Sequence, residues 1–449
     1  MRKILFMGMA VWLVLVVNIV KAQSFKDWAP TPPMGWNSWD CYGPTVTESE
    51  VKAAADYMAK NLKPYGWQYI VVDIRWFVAN TKAGGYNEKD PIYCLDEFGR
   101  YIPAENRFPS SKGGRGFKEL ADYVHRLGLK FGIHIMRGIP KQAVLRHQLV
   151  KGTQGITADQ IATQEGQCTW LHDNYTVLAD KPGAQEYYNS IMDLYASWGV
   201  DFIKVDDLSA PVYHEDEINM IRKAIDQTGR PIILSTSPGE TPIAAAAHVS
   251  SHANQWRMVN DVWDVWGDLT HLMKVAEQWY PYIQKGTWPD CDMIPLGHLS
   301  IRGERGGDRM TRLTRDEQYS LMTFFSIFKS PLFFGGDLPT LDDFTRSLLT
   351  NQEVLRMHAE AEQVHQVYRD DSRLIVASKH PKTGEVYVAF FNVSDSQELN
   401  IRTSLSALGL RGKFKIVDMW RNKFLGIASS KVSVQLEPHA CALYRLSCL

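Results

Sequence analysis

Between Pro32 and about Thr350 the sequence repeats one unit, a short apolar β-branched run followed by an amphipathic helical stretch. Tyr69–Asp73 reads as a buried strand ending in a carboxylate. Leu129–His134 follows the helical Gly116–Leu127, and Val200–Asp206 follows the helical Ala184–Ser197. Pro231–Ser235, Asn254–Arg257 and Ser330–Phe334 continue the series. Near-continuous apolar runs belong to parallel strands covered by helices on their outer face. About eight such units predict a closed (β/α)8 TIM barrel rather than an open doubly wound sheet. No Gly-rich dinucleotide loop opens a helix after a strand, which argues further against the open sheet.

After roughly Val367 the pattern changes. Arg373–Ser378, Glu385–Asn392, Lys413–Asp418, Val432–Leu436 and Ala440–Leu446 read as strands, with Pro381–Gly384 as a turn. This predicts a C-terminal antiparallel β-sandwich. At the other end, Arg2 and Lys3 precede an apolar stretch, Ile4–Val17, and Val20 and Ala22 occupy the −3 and −1 positions of a cut before Gln23. That is the signal-peptide pattern, and the apolar run is short for a membrane span. An uncleaved anchor is the rival reading. The expected division is a signal peptide at 1–22, a barrel at 23–365 and a sandwich at 366–449. It implies secretion to a periplasmic or extracellular space, with no membrane span in the mature chain.

Lys and Arg number 49 against 50 Asp and Glu, so no basic surface points to nucleic acid. Six cysteines are few for 449 residues. Cys441 and Cys448 are close enough in sequence to pair, but sequence does not decide it. No Cys or His spacing is read as a metal site, and no cofactor is expected. The 14 Trp suit either sugar-ring stacking or a large core. The oligomeric state is left open.

In a parallel barrel the active site forms at the C-terminal ends of the strands. The polar residues there are Asp73, His134, Lys204, Asp206, Asp207, Ser235, Ser237, Arg257, Asp261, Asp290 and Asp292. Glycoside hydrolysis needs one carboxylate to attack or activate and another to protonate the leaving oxygen. Carboxylates at strand ends also suit magnesium-dependent lyases, so composition leaves both open.

Pro32–Trp39 (PPMGWNSW) resembles the opening motif of glycoside hydrolase family 27, the α-galactosidase and α-N-acetylgalactosaminidase family. The resemblance continues in the family's order at Tyr69–Trp76, Phe131–Gly138, Phe202–Asp206, Trp256–Asp261, Trp288–Met293 and Pro331–Asp337. It implies a retaining double displacement on an oligosaccharide or polysaccharide. Asp206 matches the nucleophile and Asp261 the acid/base. Trp36, Asp73, His134, Lys204, Ser237, Arg257 and Asp292 match or replace sugar-contacting positions. Lys204, two residues before Asp206 on the same side of the strand, is expected to keep it ionised. Asp261 is expected to be raised by burial or by the Asp206 charge. Asp207 points away, and Asp264 and Asp268 are nearby decoys, Asp264 being placed where it could instead cap the following helix.

Three stretches depart from the family pattern. Asp73 is followed by Ile74 and Arg75 where α-galactosidases carry a second Asp and then Cys. His134 stands for a Tyr, and Thr236-Ser237-Pro238 replaces Cys-Glu-Trp. Ser237 leans towards a bulkier 2-substituent. Arg75 and Arg137 raise an acidic or sulfated sugar, or else pair with loop carboxylates. The nominal expectation is an α-galactosidase. The alternatives are an α-N-acetylgalactosaminidase and another pyranosidase such as a β-L-arabinopyranosidase, since that sugar overlays galactose without its hydroxymethyl.

Overall fold

The computed structural model describes residues 24–449; the expected signal peptide, 1–22, lies outside the described residues. Parallel strands run in chain order as β1 (Met34–Asn37), β2 (Tyr69–Val72), β3 (Lys130–Met136), β4 (Phe202–Asp206) and β5 (Ile233–Thr236). They continue as β6 (Gln255–Arg257), β7 (Trp288–Asp290), β8 (Met293–Ile294) and β9 (Leu332–Phe334). The pairing order is β7-β6-β5-β4-β3-β2-β1-β9-β8. Only Cys291 and Asp292 separate β7 from β8, with Asp292 at φ +82 marking the break. This one segment therefore bonds β6 through Trp288–Asp290 and β9 through Met293–Ile294. It closes the sheet into an eight-membered barrel.

After β1 the chain makes a short helix, α1 (Trp39–Tyr42), then α2 (Glu48–Asn61); the covering helices continue with α3 (Lys118–Arg126), α4 (Ala184–Trp198) and α5 (Glu215–Gln227). The series ends with α6 (Ala246–His252), α7 (Trp266–Val275) and α8 (Arg315–Phe328). Capping boxes at Thr47/Glu50 and Thr314/Glu317 start α2 and α8, satisfying backbone N–H groups that have no intrahelical partner. Period-two alternation sorts each strand into a barrel-inward and a helix-facing set. Tyr69, Phe202 and Phe333 point inward with ring centroids 5.0–6.3 Å apart and plug the barrel beneath the site. Gly35 is in register with Tyr69 and Phe333, and an added Cβ would lie 2.7 Å from the Tyr69 Cβ. Trp36, one residue on, is in register with Ile70 and Phe334 and packs in the helix-facing core.

The C-terminal strands are β10 (Glu362–Arg369), β11 (Arg373–Lys379), β12 (Val386–Asn392), β13 (Leu399–Ser404) and β14 (Phe414–Asp418), then β15 (Lys423–Ala428), β16 (Lys431–Leu436) and β17 (Cys441–Cys448). One antiparallel sheet has the order β10-β11-β12-β17-β14-β15, and β13 pairs with β16 over a separate apolar core. Strand β10 spans the expected 365/366 boundary. Strands β10, β13 and β15 escape the sequence reading because much of each is exposed, which erases the apolar signature. The sandwich sits on α8, where the Trp420 indole donates to Thr323 Oγ1 (2.8 Å) and Ser320 Oγ donates to the His439 carbonyl (2.6 Å).

The pairing of Cys441 with Cys448, left open by the sequence, does not occur. Cys441 and Cys448 begin and end β17, seven residues apart, and a strand rising about 3.3 Å per residue holds them far beyond disulfide reach. All six thiols are free. No described helix is long and apolar enough to cross a membrane.

Candidate active site

A cavity of about 600 Å³ opens at the C-terminal ends of the barrel strands and is lined by Asp73, His134, Lys204, Asp206, Ser237, Arg257, Asp261 and Asp292. Eight of the nine residues expected at the site thus meet in one pocket. Trp36 does not. It is fully buried, its indole donates to the Gly336 carbonyl (2.8 Å), and it faces the helices. Strand alternation already separates it from inward-facing Gly35 and Asn37, a signal the motif match overrode. The aromatic wall comes from Trp39, just past β1, with Tyr86, Trp170 and Trp263.

Asp206 ends β4. Its Oδ1 accepts from the Asp207 N–H and from Ser237 Oγ, both at 3.1 Å, and its Oδ2 lies 3.7 Å from His134 Nε2. Two donors on one oxygen leave the other directed to the cavity. Asp73 is more fully engaged: Asn37 Nδ2 donates to Oδ2 (2.8 Å), the Ile74 N–H donates to Oδ1 (2.8 Å), and His134 Nδ1 lies 2.7 Å from Oδ1. Burial pushes the Asp73 carboxyl up, but His134, Lys204 and Asn37 outweigh it and hold the group well below the usual carboxylate range. His134, on β3, therefore stands between two carboxylates at the ends of the flanking strands β2 and β4.

Lys204 draws on several carboxylates, Asp206 among them. Burial works against its charge, and Asp73 and Asp292 offset this more strongly than Asp206 does. Its ammonium serves the whole pocket floor and forms no direct ion pair with Asp206 among the described residues.

Arg257, on β6, is buried and bridges two carboxylates: Nη1 lies 2.6 Å from Asp292 Oδ1, and Nη2 donates to Asp261 Oδ1 at 3.1 Å. Asp292 Oδ2 also accepts from the Val262 N–H (2.9 Å). At the mouth, Arg305 Nη2 stands 3.5 Å from Asp261 Oδ2, and its guanidinium lies over Trp263, 5.6 Å from the ring centroid. The expected elevation of Asp261 is overturned. Burial raises it, but Arg257, Lys204 and Arg305 together hold it below its ordinary value. Asp292 moves the other way, to about 6, because burial and the facing Asp261 charge exceed the pull of Arg257 and Lys204. Two carboxylates sharing one guanidinium bind a proton as a pair rather than singly.

The residues outside the pocket resolve plainly. Asp264 is no helix cap; its buried carboxylate takes Arg309 (2.6 Å) and Arg312 (3.0 Å). Arg75 forms a two-pronged pair with buried Asp173 at 2.9 and 3.0 Å. Arg137 pairs with Asp207 and Glu217 at 2.8 Å each. Its backbone N–H also donates to the Asp206 carbonyl (3.0 Å), and its Nε to the Asp207 carbonyl (2.8 Å). Both arginines are consumed internally, and neither lines the cavity. Sequence reading also overlooked the His248/His252 spacing on α6. His248 spends its ring nitrogens on Tyr213 (2.6 Å) and Asn219 (2.9 Å), and no metal-holding cluster exists among the described residues.

The family model for "Alpha galactosidase A" matches residues 172–360, and that for the "Alpha galactosidase C-terminal beta sandwich domain" matches 371–446. The α-galactosidase of Cyamopsis tetragonoloba is 28% identical over 437 residues, covering 96% of this chain and 89% of that one. A variant β-L-arabinopyranosidase of this family from Geobacillus stearothermophilus, solved with arabinose, superposes with a TM-score of 0.93 at 48% identity, covering 95% of this chain and 99% of that one. A Bacillus halodurans structure provisionally assigned as an α-N-acetylgalactosaminidase is 45% identical with a TM-score of 0.85, covering 93% and 98%. A carboxylate-lined pocket at the strand ends, a barrel carrying a β-sandwich and matches spanning both make this chain a hydrolase of glycoside hydrolase family 27.

Proposed function

We propose that the chain is a retaining exo-glycosidase acting on terminal β-L-arabinopyranosides, with α-D-galactosides as weaker substrates. Ile74 carries this reading. Its side chain lines the cavity beside Asp73 and is 2% exposed, where the α-galactosidase pattern has a second Asp. A hexose would bury its 6-hydroxyl against that sec-butyl group without a partner. An unmatched buried hydroxyl costs about 1–3 kcal/mol, or roughly 5–150-fold. The pentopyranose has no such hydroxyl, and the 48% identical relative is a β-L-arabinopyranosidase. The Ser237 hydroxyl is engaged on Asp206, which supports a nucleophile-side role for it more than the making of room for an acetamide.

In this mechanism Asp206 attacks the anomeric carbon while Ser237 and the Asp207 N–H fix its other oxygen. The proton for the departing oxygen comes through Asp261, the exposed member of the pair bridged by Arg257. Once Asp206 is esterified, Asp261 as carboxylate takes a proton from water, which attacks from its side and restores the original anomeric configuration. Substrate enters past Trp39, Tyr86, Trp170 and Trp263, whose faces suit the apolar faces of sugar rings. Export after cleavage before Gln23 belongs to the same proposal, and N-terminal sequencing of secreted protein tests it.

The deciding experiment compares kcat/KM for nitrophenyl β-L-arabinopyranoside, α-D-galactoside and α-N-acetylgalactosaminide, with NMR of the first-formed anomer. The arabinopyranoside should lead by about tenfold or more, with retention. A preference for either hexoside removes the Ile74 argument, and an inverted product removes the double displacement.

A further inference from the structure

Among the carboxyls lining the cavity, those already described have work inside the protein. Asp73 is held by Asn37 and Ile74, Asp206 by Ser237, Asp292 by Val262 and Arg257, and Asp261 by Arg257. Glu304 accepts from the Trp39 indole and Glu240 meets His271. Asp40, in the short helix α1 that follows β1, has none. It lines the cavity and is 2% exposed, its Oδ2 is buried without a hydrogen-bond partner, and no side-chain bond to its Oδ1 exists among the described residues. It caps no backbone N–H among the described residues either.

The fold nevertheless keeps a seat for this carboxyl. A Cβ on Gly335, just past β9, would fall 2.0 Å from Asp40 Oδ2 and 2.6 Å from its Cγ, so any other residue at 335 would evict it. An unpartnered buried carboxyl is costly to the free protein, and a role confined to folding does not explain why it is accommodated. Burial pushes the group well above the usual carboxylate range, and Asp292, Asp261 and Asp73 push the same way against Lys204 alone. Burial thus favours the neutral acid, which offers one O–H donor and a carbonyl acceptor. A sugar hydroxyl is complementary to both.

We propose that Asp40 is a further substrate-binding residue, its carboxyl exchanging hydrogen bonds with a ring hydroxyl of the sugar at the pocket floor. The proposal rests on the pocket being the glycoside site and not on which glycoside is preferred. It is therefore tested on whichever nitrophenyl glycoside the wild type turns over best and on the matching free monosaccharide. Asp40→Asn keeps a donor and an acceptor in the same shape, whereas Asp40→Leu keeps the bulk and removes both. The monosaccharide Kd by calorimetry and the KM should stay within about threefold of wild type for Asp40→Asn and rise about tenfold or more for Asp40→Leu. The Asp40→Leu melting temperature should be equal or higher, since a buried unpartnered carboxyl is lost. Monodeoxy sugars then identify the hydroxyl: one should bind wild type about tenfold more weakly and lose nothing further in Asp40→Leu. Asp40→Leu binding the monosaccharide as tightly as wild type overturns the proposal, as does a fall in melting temperature with unchanged Kd. If Asp40→Leu does not fold, Asp40→Ala is read by the same criteria. A wild type that prefers a hexoside defeats the Ile74 argument and leaves this one standing.

Discussion

Arg305 offers a direct measurement of how the pocket sets the protonation of Asp261. The two side chains are about half exposed, 53% and 43%, with Nη2 and Oδ2 3.5 Å apart. Unit charges at that distance attract by about 1.2 kcal/mol in water, and exposed pairs return about 0.2–1 kcal/mol when measured. At about 1.4 kcal/mol per pH unit, replacing Arg305 by Gln should let the Asp261 carboxyl rise by about 0.1–0.7 pH unit. The sign follows from charge: the cation favours the carboxylate, so its loss extends the acid form to higher pH. The alkaline limb of kcat/KM, which reports the essential acid of the free enzyme, should move up by that amount. Gln keeps enough bulk over Trp263 to limit other changes. Raising the salt from about 0.05 M to 0.5 M should shrink the difference between the two enzymes, because exposed charges are screened. An unmoved limb, or one shifted to lower pH, would refute both the Arg305 contact and the role given to Asp261.

Other consequences are sharper in outcome. Asp206→Ala should lose activity by several orders of magnitude, and azide should rescue it with a glycosyl azide of inverted configuration. Azide rescue of Asp261→Ala should give the retained configuration, and exchanged products would reverse the two assignments. Ile74→Asp should shift the kcat/KM ratio towards the galactoside by about tenfold or more, as the 6-hydroxyl gains an acceptor; an unchanged ratio would put the selectivity elsewhere. Arg75→Met should cost about 3–5 kcal/mol in denaturant unfolding by stranding Asp173, and Arg75→Met with Asp173→Leu should recover most of it.

The barrel was legible because its strands are apolar and its helices amphipathic, and Asp73, Lys204 and Asp206 were placed by the rule that strand ends form the site. Trp36 failed because a motif match was allowed to outweigh strand alternation, which puts Gly35 and Asn37 inside and Trp36 outside. Tyr86, Trp170 and Arg305 sit on long connections with no periodic pattern, so only folding brings them to the pocket mouth. The depressed Asp261 was illegible for another reason. It depends on Arg257 and Arg305 arriving from β6 and from a distant loop, a balance of charges that spacing does not encode. Asp40 was passed over because one acidic residue in a short helix carries no signal until its lack of partners is seen.

The anchorage beneath the attacking carboxylate also has a consequence for handling the enzyme. Arg137 ties the end of β3 to the end of β4 through two backbone carbonyls and two carboxylates, while every cysteine remains a thiol. A sulfur bridge in that position would surrender to a reductant and ignore acid. This tether has the opposite temperament: dithiothreitol has nothing there to cut, whereas protons reaching Asp207 and Glu217 loosen it, so the rim of this barrel answers to pH and not to redox potential.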